Sequence, residues 1–428
     1  MKPTVLYRTY VAATALLVPL AAFVVTRKLR RAGVSSHRTH EVLGHATENR
    51  QGVGPLIWFH AASVGESLSV LALITRMGQS LPKAQFLITS GTATSAKLLA
   101  SRMPERCVHQ FTPLDAPGPM SRFLRHWRPD AALFVESELW PQMLVKTKAQ
   151  GAAMALINAR LSKKSQTSWS KRPKTAAYVL DVFDLILTQN DAMAQAMVNL
   201  NAPADRVARG SNLKAMSDPL PVNAQVLADT RAGLKNRQVW VASSTHPGEE
   251  RDVLAVHKAL LKRWPDLCLI LAPRHPGRAA DVASDIKAAG LTMAQRTKGQ
   301  PPDAQVYLAD TLGELGTWYA LAPFVFLGGS LGPIGGHNPF EVAQAGAAVL
   351  SGPHVTNFAE TFDAMQAQGA AKIVPDSDAL LQAVTRWLDT PPQLNAARAK
   401  ATRFAAQRSD QLDRIAARLI HVLGLADD

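Results

Sequence analysis

Three carboxylates and a few cations stand out by type and spacing. Glu66 closes the string Ser63-Val-Gly-Glu66 at a strand-to-helix turn. A carboxylate there could take a proton from an alcohol nucleophile; equally, a glutamate at a helix start is favoured by the helix dipole. Glu136 and Glu138 lie two apart, so in extended chain they point the same way. Such a pair could hold a cation, pair with lysines or orient a substrate, while Trp140-Pro141 reads as packing after the turn. Arg274 follows an apolar run ending in Pro273 and could fork a phosphate. Ser243-Ser-Thr245 and Gly328-Gly-Ser330 read as polar turns whose backbone N–H groups could hold phosphate. Lys214 stands alone near a break in the pattern, where a surface lysine is the plain reading.

Other chemistries lack their residues. No Walker lysine loop and no Gly-x-Gly-x-x-Gly follows the first strand, which leaves ATPase and dehydrogenase readings unsupported. His60, His246, His275, His337 and His354 are scattered, without the spacing of a zinc helix, and no metal is expected. Cys107 and Cys268 are the only cysteines, too few for a disulfide framework. The segment from Arg160 to Lys174 carries six basic residues and no acid around Trp169. It is either a solvated loop or a contact for phosphorylated lipid headgroups; no nucleic-acid module is recognisable, and no nucleic acid is expected.

The elements that must position these residues recur as short apolar runs between helix-like stretches. Strands are expected at Leu56–His60, Gln85–Thr89, Ala131–Val135, Ala153–Asn158 and Leu185–Thr188. A second set is expected at Val239–Ser243, Leu267–Ala272, Gln305–Leu308, Phe324–Leu327, Ala348–Leu350 and Lys372–Val374. Helices are expected at Glu66–Gly78, Thr94–Arg102, Glu249–Arg263 and Pro339–Ala345. Continuous apolar runs suit strands covered on both faces, and the alternation implies parallel sheets with crossover helices. Each polar motif then falls at the carboxyl end of a strand, where ligands of such sheets bind. The chain has 428 residues, 47% of them apolar, and a formal net charge of +14. It is too long for one ordinary core, and its excess charge calls for an anionic neighbour. Met216–Asn223 is the expected linker between two Rossmann-like halves. The domains are read as 1–31, 32–215 and 216–428, with the run Gln393–Leu423 packing back across the join.

Residues 9–25 form an uncharged apolar run followed at once by Arg27, Lys28, Arg30 and Arg31. This is the short end of a spanning length, roughly 17–25 residues. The positive flank places the body of the protein on the cytoplasmic side. The rivals are a cleaved signal peptide, which the late position of the charges weakens, and a packed helix. Whether the run spans the bilayer or lies in its interface stays open.

Taken together the motifs resemble those of the bacterial Kdo transferases, which move 3-deoxy-D-manno-octulosonic acid (Kdo) from CMP-Kdo to a lipid A precursor. The matching strings are Trp58-Phe-His-Ala-Ala-Ser-Val-Gly-Glu66, Glu136-Ser-Glu-Leu-Trp-Pro141, Asn158-Ala-Arg-Leu-Ser162 and Asn212-Leu-Lys214. Ala242-Ser-Ser-Thr-His-Pro-Gly-Glu-Glu250, Pro273-Arg-His-Pro276, Asp310-Thr-Leu-Gly-Glu-Leu315, Gly328-Gly-Ser-Leu331, Gly335-Gly-His-Asn-Pro-Phe-Glu341 and Ser351-Gly-Pro-His-Val-Thr-Asn-Phe358 follow in family order. The resemblance implies a GT-B fold: two Rossmann-like α/β domains facing a cleft, the acceptor in the first, the donor in the second. It implies an N-terminal anchor at the cytoplasmic face of the inner membrane, inversion at the anomeric centre, no catalytic metal and no cofactor beyond the donor CMP-Kdo. The acceptor would be lipid IVA or a related phosphorylated lipid A precursor. By position, the general base falls on Glu66 and transition-state stabilisation on Glu136 and Lys214. CMP contacts fall on Pro273 and Arg274, on Leu312, Gly313 and Glu314, and on Asn338, Pro339, Phe340 and Glu341. The chain departs from the family strings at Ser137, Ala215-Met216, Pro247, Phe340 and Val342, which bears on acceptor choice and on the number of Kdo units added. The rival readings are a transferase or epimerase with a UDP donor and a membrane-bound paralogue without catalysis.

Overall fold

The computed structural model describes residues 2–100, 102–210, 213 and 219–426. The chain divides into two compact units, Met1–Ser217 with Asp410–Asp428, and Asp218–Ser409.

The first unit is built on seven strands: β1 Leu56–His60, β2 Gln85–Ser90, β3 Cys107–Phe111, β4 Ala131–Val135, β5 Ala153–Ala159, β6 Leu185–Thr188 and β7 Val207–Arg209. They lie in the order β3-β2-β1-β4-β5-β6-β7, and each pair is parallel. Alternate residues of one strand face opposite ways. Ile57 and Phe59 enter one core, Leu56 and Trp58 the other, so both faces are covered and the strand reads as an unbroken apolar run. The second unit repeats the plan with β8 Val239–Thr245, β9 Cys268–Pro273, β10 Met293–Gln295, β11 Val306–Leu308, β12 Phe324–Leu327, β13 Ala348–Ser351 and β14 Ala371–Ile373. Its order is β10-β11-β9-β8-β12-β13-β14, again parallel.

Both sheets reverse their winding direction once, between β1 and β4 in the first and between β8 and β12 in the second. At such a point adjacent loops diverge and open a crevice beyond the strand ends. The motif-bearing loops after β1, β4, β8 and β12 are the four that flank these points. Three strands were not expected from the sequence. β3 alternates polar and apolar residues at one edge of its sheet, and β7 and β10 have three residues each, also at edges.

Seven helices matter below: α1 Val5–Arg31, α2 Val64–Ser69, α3 Pro141–Ala149, α4 Lys163–Ser170, α5 Glu249–Leu261, α6 Pro339–Gln344 and α7 Pro391–Val422. The expected helix Glu66–Gly78 is interrupted: α2 stops at Ser69, and a separate helix covers Leu71–Ser80. The end of α7 belongs to the first unit, where Leu412, Ile415, Ala416 and Leu419 join the core containing Ile57 and Leu133.

Among the described residues α1 is the one helix long and apolar enough to cross a membrane. It runs unbroken through Pro19. One side of its first half is held by the first unit. Tyr10 Oη donates to Asp115 Oδ2 (2.7 Å), Gln142 Nε2 donates to Thr14 Oγ1 (3.2 Å), and Tyr7 meets Tyr178 edge-on. Asp115 also accepts from the backbone N–H groups of Gln142 and Met143. It thereby caps α3, whose own N-cap residue Trp140 supplies no side-chain bond. Leu16, Leu17, Leu20, Phe23 and Val24 are exposed.

Candidate active site

In the first unit the chemistry gathers beyond β1 and β4. Ser63 is the N-cap of α2: its Oγ accepts from Glu66 N (3.3 Å) and donates to Glu66 Oε1 (2.7 Å). Glu66 Oε2 accepts from Ala62 N (2.9 Å). This is a variant of the capping box, with the carboxylate on the N–H of the residue before the N-cap, and it fixes the carboxylate at the turn. Glu66 is only 9% exposed. Burial lifts its carboxyl above the ordinary value; the Ser63 and Ala62 bonds pull against this, and the charges of Glu138 and Glu136 push it up again, leaving it raised. The functional and structural readings of Glu66 thus describe one side chain: the cap positions a carboxylate whose surroundings favour its taking a proton.

Glu136 follows β4 directly, with φ at +57°, in the left-handed region. For a non-glycine residue this costs on the order of 1–3 kcal/mol and aims the side chain away from the strand's own direction. Its backbone stays paired, N–H to Ile157 O and C=O to Arg160 N. Asn158, also left-handed at +54°, donates from Nδ2 to Glu136 Oε1 (3.3 Å) and accepts at Oδ1 from Leu213 N (3.2 Å). Asn158 therefore ties Glu136 to the segment next to Lys214. Lys214 itself lies outside the described residues.

Glu138 Oε2 accepts from His60 Nε2 (3.3 Å) and from Trp140 Nε1. Thr89 Oγ1 accepts from Trp58 Nε1 (2.9 Å) and lies 2.9 Å from His60 Nδ1. With Thr89 donating to Nδ1, Nε2 carries the imidazole proton and gives it to Glu138. Burial alone would raise the Glu138 carboxyl, but the bonds from His60 and Trp140 more than offset it, and its pKa is lowered. Trp140 is not buried packing: its ring is partly exposed and its N–H holds Glu138. The two neighbours of Glu66 are thus both positioned, and Glu138 is held ionised beside it.

In the second unit the outcome differs from the expectation for the polar turns. The N–H groups of Gly329, Ser330 and Leu331 do form an anion-binding concavity, but the Glu249 carboxylate fills it, at 2.6, 2.8 and 2.8 Å. Glu249 also accepts from His246 N (2.9 Å). Four backbone donors on one carboxylate leave that turn no donors for a phosphate. Ser243–Thr245 is not a turn but the end of β8, with Ser244 left-handed at +55°.

Pro273 ends β9 in the interior, while Arg274 is exposed and makes no ion pair among the described residues. Its backbone N–H donates to Thr245 O (3.0 Å). Leu312 is 80% exposed at a turn whose Gly313 needs φ of +83°. Glu314 is committed to Arg296, at 2.8 and 3.1 Å, and to Thr311; burial pushes its carboxyl up and these bonds bring it below its ordinary value. Asn338 caps α6 through Phe340 N (3.1 Å) and donates to Glu341 Oε1 (3.4 Å). Pro339 takes the first helical position and Phe340 lies in the core.

The histidines that look scattered in sequence converge in part. His246 and His337 lie 3.2 Å apart, Nε2 to Nε2, with rings stacked, and His275 meets His246 edge-on at 5.9 Å. The signal available beforehand was positional: His246 follows β8 directly, His337 lies in the loop after β12, and those strands are neighbours. Asn158 and Glu249 were missed as well. Among the described residues, no three of His, Cys, Asp or Glu are grouped to hold a metal ion.

Comparison with known proteins fits this arrangement. Residues 37–217 match the family model described as 3-Deoxy-D-manno-octulosonic-acid transferase (kdotransferase). The chain is 34% identical over 362 residues to the 3-deoxy-D-manno-octulosonic acid transferase of Rickettsia felis, covering 84% of this chain and 77% of that one. It is 32% identical over 400 residues to the Bordetella pertussis enzyme of the same name, covering 89% and 91%. In fold alone it is similar to UDP-GlcNAc 2-epimerase from Neisseria meningitidis, with a TM-score of 0.55, 11% identity and coverage of 86% and 100%. Two parallel seven-stranded sheets in a GT-B-like chain, with the family's motifs at their switch points, lead to one assignment: the chain belongs to the 3-deoxy-D-manno-octulosonic acid transferase family and is a Kdo transferase of lipopolysaccharide biosynthesis.

Proposed function

We propose that the enzyme transfers Kdo from CMP-Kdo to lipid IVA or a closely related phosphorylated lipid A precursor, with inversion and without a metal ion, at the cytoplasmic face of the inner membrane. The single observation that carries this reading is the Glu66 carboxylate, fixed by its capping box and held above the ordinary carboxylate range by burial and by Glu138 and Glu136. Glu66 takes the proton of the acceptor hydroxyl as its oxygen attacks the anomeric carbon of Kdo, and CMP departs with the electron pair of the broken bond. Attack on the face opposite the leaving phosphate inverts the centre. Glu136 and Lys214 stabilise charge in the transition state. Pro273, Arg274, Leu312, Gly313, Glu314, Asn338, Pro339, Phe340 and Glu341 take CMP. In this set Arg274 meets the phosphate, Glu341 suits the ribose hydroxyls, and the backbone of Leu312–Glu314 suits the edge of cytosine.

The membrane part of the reading rests on α1, with its exposed apolar residues, and on the basic residues that follow it. Lys163 and Lys164 of α4 are exposed as well.

The test is direct. Purified enzyme with CMP-Kdo and lipid IVA yields a product heavier by Kdo in mass spectrometry, together with CMP, and chelator leaves the rate unchanged. Thermal protection by UDP and none by CMP overturns the donor assignment.

A further inference from the structure

The second unit contains a cluster that the donor contacts proposed above do not use. Three imidazoles, His246, His275 and His337, meet beside Arg274 at the ends of β8, β9 and β12. The nearby acids are engaged elsewhere. Glu249 is consumed by four backbone N–H groups, and the buried Glu250 carboxylate takes both arms of Arg278, at 2.8 and 3.3 Å. Cationic and protonatable groups thus face one another without a carboxylate between them.

Gly329 makes the pairing possible. It sits at φ +65°, and a Cβ there would lie 2.9 Å from His337 Nε2 and Cδ2 and 3.2 Å from His246 Cδ2. The bare backbone lets the two near-parallel rings meet edge to edge over it, Nε2 to Nε2. One hydrogen shared between the two Nε2 atoms makes one imidazole the donor and the other the acceptor. A second proton, added at Nδ1 of the donor, leaves that bond intact and makes it charge-assisted.

We propose that His246 and His337, flanked by His275 and Arg274, form the receptor for the anionic group of the donor, and that this pair takes up a proton from solvent as the anion binds. The proposal rests on the reading that this unit takes the CMP-linked donor. Two features argue for it besides the cluster itself. The backbone nest that would otherwise serve a phosphate is occupied by Glu249, so the anion is left to side chains, Arg274 and the imidazoles beside it. In addition, the empty pair is neutral near pH 7: burial and then Arg274 hold His337 down to about 4, and burial first holds His246 low, against the raising effect of Glu249 and Glu250. An anion reverses this balance by offsetting Arg274 and attracting the second proton. As the sugar leaves and the phosphate gains charge, the protonated pair is already in place beneath it.

The anion has two sources in the donor, the phosphate and the sugar carboxylate, and calorimetry separates them. CMP is titrated into the full-length enzyme at pH 7 in buffers of different ionisation enthalpy, alone and with free Kdo present. Uptake of about one proton with CMP assigns the phosphate; uptake only with Kdo present assigns the carboxylate. Either supports the receptor. Affinity for the anion rises by up to about tenfold per unit as pH falls from 8 to 6, because the bound state holds the extra proton. His337→Gln and His246→Asn lose the proton uptake and bind about tenfold more weakly, and Gly329→Ala, which drives a methyl group between the rings, loses the uptake as well. CMP binding with no proton uptake under either condition, or uptake unchanged in His337→Gln, overturns the proposal while leaving the donor reading standing. Absence of CMP binding overturns both. A phosphate monoester itself takes up a proton at about pH 6, so the assignment to the pair rests on the loss of uptake in the histidine variants, each checking the other where one does not fold.

Discussion

Glu66 and Glu249 occupy equivalent places in the two units. Each lies at the start of the helix that follows a strand at the sheet's switch point, and each reaches back to a backbone N–H of the preceding turn. Their fates differ. Glu249 accepts from four backbone donors and is spent on holding two loops together. Glu66 accepts from one backbone N–H and one hydroxyl, with two further carboxylates close enough to raise its pKa. The same position in the same topology therefore yields a strut in one unit and a carboxylate of raised pKa in the other. Burial first, and then two acidic neighbours against its own hydrogen bonds, set the Glu66 carboxyl above its ordinary value. The surroundings invert too: acids gather around Glu66, histidines and an arginine around the loop that Glu249 braces.

The sharpest way to break this comparison is Glu66→Gln. The amide oxygen still accepts from Ala62, so the turn survives, while turnover falls by about 10²–10⁴-fold, the usual worth of a general base. In the unaltered enzyme the acidic limb of kcat/KM lies above the ordinary glutamate range. The stability change follows from the sign of the shift. A folded-state pKa above the unfolded one contributes stability that is full below the unfolded value and is lost as pH rises through the folded value. The melting temperature of Glu66→Gln relative to the unaltered enzyme therefore climbs between pH 4 and pH 8, as differential scanning calorimetry would record.

Glu249→Ala is the counterpart. It strands backbone donors in the interior and lowers unfolding free energy by about 3–5 kcal/mol in denaturant titrations. A loss below about 1 kcal/mol would mean that Glu249 is not the strut described. Arg274→Ala, next in size, weakens CMP binding by about 1.5–3 kcal/mol, read by calorimetry, and leaves the melting temperature nearly unchanged. The smallest effect compares two variants at one site. Glu136→Gly relieves the left-handed backbone and Glu136→Ala does not, so the glycine variant is more stable by about 1 kcal/mol although both lose the carboxylate. Equal stabilities would remove strain from the description of that loop.

Much of this was legible beforehand, for identifiable reasons. Strands such as Leu56–His60 and Phe324–Leu327 are covered on both faces, so their apolar runs mark them directly. β3 escaped because its Cys-Val-His-Gln-Phe run places polar residues where His109 bonds Ser90 and Gln110 bonds Trp127. Such partners are invisible without tertiary structure. Glu66 and Glu136 stood out as candidates from residue type and position after strand ends. That Glu249 would fill the Gly329–Leu331 nest was not foreseeable, because it joins residues eighty positions apart that only the β8–β12 pairing makes neighbours. The meeting of His246 with His337 depends on the same pairing. Asn158 gave no sign of its role, since its bridge from Glu136 to Leu213 spans three separate segments.

The bond from Tyr10 to Asp115 has a consequence for how the enzyme would ride a lipid surface. Asp115 also caps the helix that begins just after Glu138 and Trp140, so the apolar helix and the loop that carries Glu136 and Glu138 share one bracing residue. A tether of that kind is not a leash. Whatever depth and tilt the apolar helix adopts in lipid is imposed on the glutamates as well, and their distance from the headgroups is fixed by the architecture of a single domain. On the function proposed above, an acceptor diffusing in two dimensions would meet Glu66 at a constant height.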